Sequence, residues 1–146
     1  MLSINPDFTI KDIDDDINAL INQEIDGIID SLKESGKFYV DRARAQTKSD
    51  GGFSNLTYNL RESIGYVLVA DHQIIDVYFP PISNASGGAA KGEAYAREIA
   101  TLVDDGELIL IVVAGLEYAA FVEATEHDVI SGSSMAFEKL LKSLLL

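Results

Sequence analysis

Carboxylate side chains are the most abundant candidates for chemistry in this sequence. They occur singly, in pairs and in runs, as at Asp14–Asp16, Asp104–Asp105, Glu117 and Glu123. Glycosidase-type catalysis needs two carboxylates in different environments across a cleft, with the pKa of one raised by burial. Only Glu123 has enough apolar neighbours to predict partial burial. We therefore expect most of these groups to lie on solvated faces or at helix starts.

Metal-binding and nucleophilic chemistry receive little support. The two histidines, His72 and His127, have no partners at ligand spacing, and the adjacent residues 126–128 are poorly placed to share one ion. Without cysteine, the chain has no thiolate zinc site, disulfide or cysteine nucleophile. No serine lies in a G-x-S-x-G elbow. Gly87–Gly92 lacks the lysine spacing of a phosphate-binding loop, so a mobile loop is predicted there and no cofactor is expected.

The composition limits the classes of partner. With 146 residues, 47% of them hydrophobic, the chain fits a single domain over residues 1–146. Its net charge of -13 disfavours phosphate backbones and anionic lipid, so neither sequence-specific nucleic-acid binding nor membrane binding is expected. The longest apolar run, residues 108–114, is shorter than the ~20 residues of a spanning helix. Residues 1–7 lack the basic start of a signal peptide, so we expect a soluble cytoplasmic protein.

A long amphipathic helix is predicted over residues 12–46. Its apolar residues recur mostly at steps of three and four, the period of one helical face. They include Ile13, Ile17, Leu20, Ile21, Ile28, Ile29 and Leu32. Because the other face is acidic, we expect this stripe to pack on the core rather than on a membrane or a calmodulin-type partner.

The rest of the chain predicts a sheet over residues 60–125 with a helical insertion at 84–103. Strands are expected at 62–69, 74–79 and 108–114, a turn at 71–73, a short helix at 92–103, and a C-terminal helix at 133–146. Ile64, Tyr66 and Leu68 should share one face of the first strand. The fold class is α+β: a long N-terminal helix packed on a curved antiparallel β-sheet, with short additional helices.

Two short motifs flank this sheet. The first is Asn59-Leu60-Arg61-Glu62-Ser63-Ile64-Gly65-Tyr66, which leads into a strand after a glycine-bearing loop. The second is Gly115-Leu116-Glu117-Tyr118-Ala119-Ala120-Phe121-Val122-Glu123, which follows a fully apolar strand. Their order, after a long N-terminal helix, resembles the head–tail joining proteins of long-tailed bacteriophages, also called neck, tail-completion or minor tail proteins.

The resemblance implies a non-enzymatic virion assembly protein that forms a ring, typically a hexamer. Its partners would be further copies of itself, the portal-side connector proteins, and the tail terminator or tube proteins. It would occupy the host cytoplasm during assembly and the neck of the virion afterwards. Leu60 and Arg61 would anchor the first strand, and Gly115 would end the apolar strand. Tyr118, Ala119, Val122 and Glu123 would form a short helix that closes the sheet.

Two other classes of function stay open at this point. One is a small acidic enzyme or ligand-binding domain with a pocket around Tyr118, Glu123 and Arg61. The other is an intracellular regulator that binds a basic partner through the acidic surface, in a salt-sensitive complex. Candidate assembly surfaces are the 83–92 loop and the apolar C-terminal residues 140–146, unless the latter simply pack on the sheet.

Overall fold

A three-stranded antiparallel sheet lies between two helices. The computed structural model describes residues 7–52, 58–82, 85–103, 108–116, 119, 129–130, 138–140 and 142–143. The elements are α1 (Ile10–Ala45), a 3-10 turn (Lys48–Asp50), α2 (Asn59–Glu62), β1 (Ile64–Ala70), β2 (Gln73–Tyr78), α3 (Gly88–Ala100) and β3 (Leu108–Ala114). The strand order is β2-β1-β3. The predicted α+β class is confirmed, and within the predicted C-terminal helix residues 138–140 and 142–143 are helical.

Helix α1 is the longest element and begins with a complete capping box. The Thr9 hydroxyl accepts a hydrogen bond from the Asp12 amide, and the Asp12 carboxylate accepts one from the Thr9 amide. These contacts satisfy amides that have no partner within the helix. At 1.5 Å per residue, the 36-residue helix is about 54 Å long, roughly twice the length of the seven-residue strands. Its predicted span is confirmed, with the start two residues earlier.

Strand β1 is the centre of the fold and is buried on both faces. Ile64, Tyr66 and Leu68 share one face of the strand, as predicted, and this face packs against Val40 and Ala43 of α1. The intervening residues Val67 and Val69 pack on the opposite face with Ala96 and Ala100 of α3. Strand β3 pairs with β1 along its full length, from Ile64 opposite Ala114 to Ala70 opposite Leu108.

The β1–β2 hairpin has a two-residue turn at Asp71-His72, one residue shorter than the turn predicted at 71–73. Asp71 and His72 both adopt left-handed backbone angles, with φ of 48° and 62°. This combination belongs to the type I′ turn, whose twist matches that of the flanking strands. The register of the β1–β2 pairing shifts between Leu68 and Val69, because Ile75 is an extra residue in β2, and a bulge of this kind bends the strand that contains it.

Helix α3 starts earlier than predicted, and small residues form its buried face. The predicted loop at Gly87–Gly92 is wrong from Gly88 onward, because α3 begins there. Its buried face is the run of small residues Gly88, Gly92, Ala96 and Ala100 at four-residue steps, whereas Tyr95 is exposed. A Cβ on Gly88 would overlap the Asn59 carbonyl oxygen, and one on Gly92 would overlap that of Ser63. The glycines therefore allow α3 to approach α2 and β1 closely.

The expectation that the whole apolar stripe of α1 packs on the core is wrong for its N-terminal half. Every residue from Ile10 to Ile28 is exposed, and partly buried positions begin at Ile29. From there, Ile29 and Leu32 pack against the core, and Tyr39, Val40 and Ala43 are buried. The helix is longer than the sheet that it covers, and none of the described residues forms a core against its first half.

Candidate functional site

The two sequence motifs meet at one end of the sheet, where β1 begins and β3 ends. The Gly115 amide donates a hydrogen bond to the Ser63 carbonyl oxygen at 3.2 Å, just beyond the last β1–β3 pair. A Cβ on Gly115 would overlap the Cα of Gly92, so β3 and α3 also touch at this point. Glycine at 115 is thus required by a close approach of two backbones. We call this region, around Leu60–Ile64, Gly92 and Gly115, the motif junction.

Three of the predicted motif residues other than Gly115 have described contacts. Leu60 and Ala119 are buried, with 4% and 7% of their surface exposed, and belong to the same core cluster as Ile64. Arg61 donates a hydrogen bond to the Gln46 carbonyl oxygen at 2.6 Å, which connects the junction to the end of α1. The remaining three, Tyr118, Val122 and Glu123, lie outside the described residues.

Glu62 holds the N-terminus of α3, a role that the sequence analysis did not find. Its side chain is 4% exposed, and its carboxylate accepts hydrogen bonds from the Ile82 amide at 3.0 Å and the Ala89 amide at 3.2 Å. These bonds, that from Ile82 first, hold the pKa of the Glu62 carboxyl below its ordinary value. The residue before α3, Gly87, has no side chain to cap the helix. Glu62 therefore supplies the cap from a distant part of the chain.

Arg44 connects α1 to the same end of the sheet, and the sequence analysis did not identify this residue either. Its guanidinium is 9% exposed and donates to the carbonyl oxygens of Ile64, Glu62 and Pro80 at 2.9, 2.7 and 2.5 Å. Burial lowers the pKa of this group. The helical period places residue 44 beside the buried positions 40 and 43, which is the signal that could have revealed it. A basic residue there predicts a hydrogen-bonded buried cation.

Two tyrosines form the polar part of the interface between α1 and the sheet. Tyr66 donates to the Asp76 carboxylate at 2.6 Å, and Tyr78 donates to Asp41 at 3.1 Å. Desolvation raises the pKa of both phenols, with a further contribution from the carboxylate that each contacts. A raised pKa keeps a phenol protonated, so these side chains are suited to donating structural hydrogen bonds rather than to acting as bases.

The described residues hold no cluster of three metal-ligating side chains. His72 lies in the exposed β-hairpin turn, away from the motif junction, and His127 is outside the described ranges. The buried carboxylate and guanidinium at the junction are both engaged with backbone groups. In the described part of the chain, the charged groups at the junction thus serve the fold.

The other notable feature is an exposed apolar surface on residues 10–28, which we call the α1 arm. Its large side chains keep between 40% and 80% of their surface in solvent. They are Ile10, Ile13, Ile17, Leu20, Ile21, Ile25 and Ile28. A continuous exposed apolar surface of this kind marks a binding site or an aggregation hazard.

The arm is large enough to contribute substantially to an interface. At 1.5 Å per residue its 19 positions extend over about 28 Å. Fully burying an exposed Ile or Leu side chain is worth roughly 1.5–3 kcal/mol, so covering these seven partly exposed ones is worth on the order of 7 kcal/mol. Association itself costs an estimated 4–15 kcal/mol. Burial of the arm can offset much of this cost, and a stable complex needs favourable contacts at other surfaces as well.

The architecture defines the class: an α+β domain with a long helix over a three-stranded antiparallel sheet. No family model and no curated protein matches the chain, and no solved structure matches it. Among the described residues, no helix combines the length and apolar character that crossing a membrane requires.

Proposed function

We propose that this chain is a structural assembly protein of a long-tailed bacteriophage, joining the head connector to the tail as a subunit of a ring. The proposal begins from the two motifs, Asn59–Tyr66 and Gly115–Glu123, and from their resemblance to head–tail joining proteins. Contacts at the motif junction fit a fold-defining role for them. Leu60 and Ala119 share a core, and the Gly115 backbone bonds to that of Ser63.

The exposed apolar surface of the α1 arm is the single observation that carries an assembly role. Seven isoleucine and leucine side chains of α1 lie beyond the sheet and are exposed, so they do not help the helix to cover its own sheet. Their burial against another chain would remove apolar surface from water, the main favourable term in most protein association. The arm is thus the part of the domain best suited to contact a neighbouring subunit.

The proposed partners are other copies of this chain, six to a ring as is typical of the family it resembles. Portal-side connector proteins would lie on one side of the ring and tail terminator or tube proteins on the other. Each subunit of a ring presents two different surfaces that complement each other, and the ring closes when the rotation between neighbours allows it. The site of action would be the host cytoplasm during assembly and the virion neck thereafter. We propose no enzymatic activity and no cofactor.

The alternative of an enzyme or ligand-binding pocket depends on Tyr118, Glu123 and Arg61. Two of these residues lie outside the described ranges, and the third donates to the Gln46 carbonyl oxygen. No contact among the described residues favours this alternative. It predicts turnover or ligand binding that is lost in a Glu123→Gln variant, whereas the assembly role predicts no such activity to lose.

The test is electron microscopy of particles made by the parent phage after deletion of this gene. We expect filled heads and unattached tails, with whole virions restored when the gene is supplied in trans. A gene carrying Ile17→Asp and Leu20→Asp in the arm should fail to restore them, while the matched control Tyr95→Asp, an exposed residue of α3, should succeed. Normal infectious virions without the gene would refute the proposal.

A further inference from the structure

We infer that the α1 arm docks in an apolar groove lined by Lys or Arg side chains, on a protein different from this chain. The inference rests on the proposed function and specifies one contact within it. The arm would bind a connector or tail protein, and the copies of this chain in the ring would meet through other surfaces.

The exposed isoleucine and leucine side chains of the arm form one stripe along the helix. At 3.6 residues per turn, all seven fall within about 140° of the helix circumference. Two sets of them follow the spacing i, i+4, i+7: Ile13, Ile17 and Leu20, then Ile21, Ile25 and Ile28. This is the spacing with which an amphipathic helix places its anchors in a hydrophobic groove.

Glu24 lies inside this stripe. Its neighbours at three and four residues along the helix are all apolar or glycine: Leu20, Ile21, Gly27 and Ile28. A partner that covers the stripe therefore covers the Glu24 carboxylate as well, and a buried carboxylate is costly unless it is paired. The arm has a single cation, Lys11, which is thirteen residues and about 20 Å from Glu24. The partner must supply the pairing cation.

Two further carboxylates, Asp14 and Asp16, border the stripe on its two sides. Each has two apolar neighbours at three and four residues, Ile10 and Ile17 for the first, Ile13 and Leu20 for the second. Asp14 and Glu24 are ten residues apart, about 15 Å along the helix. The complementary groove thus has an apolar floor, with a cation near its middle and others at its rim.

The charges of this chain do not match that description. In residues 29–45, Arg44 is buried against backbone carbonyl oxygens, which leaves Lys33, Lys37 and Arg42. These are balanced by three exposed carboxylates, Asp30, Glu34 and Asp41. The whole chain has a net charge of -13, so a second copy would bring more carboxylates than cations to the arm. Like charges placed together across an interface are costly, and charge complementarity favours a basic protein as the partner.

Binding to purified virion proteins tests the inference. The probes are the connector protein and the tail terminator protein of the parent phage, each immobilised in turn, with the folded full-length chain in solution. The wild type should bind one of them, and more weakly as salt rises, because salt screens the paired charges. Glu24→Lys should weaken this binding on the order of 100-fold, because it places like charges together in the groove.

Asp15→Lys is the matched control. It makes the same change of charge nine residues away, on the opposite side of the helix, where the neighbours are Lys11, Asp12, Asn18 and Ala19. We expect its affinity to stay within about threefold of the wild type. Both positions are exposed, so circular dichroism should show both variants folded. Equal losses from the two variants, or no binding to either probe, would overturn the inference, as would binding of the wild type to anionic phosphatidylglycerol vesicles.

Suppressor selection separates a foreign partner from another copy. Phage that carry Glu24→Lys should form no virions, and suppressors other than reversion should replace a Lys or Arg in a different virion protein. Suppressors confined to another surface of this same chain would overturn the inference. If the gene is needed for joining but Glu24→Lys supports virions as well as Asp15→Lys does, the inference alone fails. Normal virions without the gene refute the proposed function, whatever the arm binds.

Discussion

The two halves of helix α1 have similar apolar periodicity and opposite surroundings. In residues 29–45 the apolar positions meet the sheet, and Val40 and Ala43 are fully buried. In the arm, residues 10–28, the positions from Ile13 to Ile28 repeat the same steps and lie in solvent. Periodicity therefore predicts that a helix has an apolar face, but not whether that face is covered by its own chain.

The difference has a geometric cause. The sheet strands contain six or seven residues, about 20 Å of extended chain, and cannot support a helix of about 54 Å along its whole length. Among the described residues, the remaining half of the helix stays exposed. Variants in the two regions test this division.

Replacing Arg44 by alanine should produce the largest loss of stability. The substitution removes every hydrogen bond from a buried guanidinium to three carbonyl oxygens at the end of the sheet. Each buried polar group left without a partner costs about 1–3 kcal/mol, so we expect a loss of about 3 kcal/mol in the free energy of unfolding, measured with urea. The control is Arg42→Ala on the exposed side of α1, which should stay within about 0.5 kcal/mol. Similar losses from both would contradict the assigned role of Arg44.

Truncating one apolar residue in each half of α1 tests the comparison directly. Val40→Ala removes two methyl groups from a fully buried site and should cost about 2 kcal/mol of unfolding free energy. Ile17→Ala removes more atoms from a side chain that is 49% exposed, and in the isolated chain it should cost about 0.5 kcal/mol or less. Both are measured at a protein concentration low enough to prevent association. An equal cost for Ile17→Ala would mean that the arm is covered within its own chain.

Glycine-to-alanine substitutions should have opposite signs in the two regions. Gly92→Ala places a Cβ against the Ser63 carbonyl oxygen, so the overlap should outweigh the better helix propensity of alanine, with a net loss of about 1–2 kcal/mol. Gly27→Ala places its Cβ in open space and should stabilise the arm by up to about 1 kcal/mol. Unfolding monitored by circular dichroism gives the first effect, and amide hydrogen exchange in the arm gives the second. A loss at Gly27 would show a close contact there.

The sequence supports the secondary structure better than it supports the contacts. Residues 12–46 and 108–114 follow strong periodic or fully apolar patterns, and their predicted elements agree with α1 and β3 within two residues at each end. The prediction of α3 missed its first turn, which begins at Gly88, because glycine is a poor helix former on average, while here the helix needs glycine at 88 and 92 for close packing. Local propensity cannot represent such a contact, because the opposing backbone is about thirty residues away.

The motif junction shows the same limit. Leu60, Arg61, Gly115 and Ala119 were selected by their resemblance to a family, without knowledge of the groups they contact. The roles of Glu62 and Arg44 emerge only in three dimensions, because their partners lie far away in the chain. A buried charge can be suspected from a helical period, but its hydrogen-bond acceptors cannot be read from the sequence.

The smallest effect concerns pH and compares the two helix caps. The lowered pKa of Glu62 means that its ionised form is favoured by folding, so this contribution is full above the ordinary value of 4.5 and is lost as the pH falls through the lower folded value. Glu62→Gln should therefore cost about 1 kcal/mol near neutral pH, and the difference from the wild type should shrink in acid. The measurement is urea unfolding of both proteins across this range.

The Thr9–Asp12 cap of α1 provides the control. The hydrogen bond from the Thr9 amide lowers the pKa of the Asp12 carboxyl, as the amide bonds do for Glu62. Asp12 differs from Glu62 because it is fully exposed, at the tip of the arm. Asp12→Asn should fray the first turn in hydrogen exchange and leave global unfolding unchanged at every pH. A difference between Glu62→Gln and the wild type that persists in acid would mean that the carboxylate charge does not stabilise α3. A global effect of Asp12→Asn would mean that the arm and the sheet unfold as one unit, in which case the arm is already part of the core and not a surface awaiting a partner.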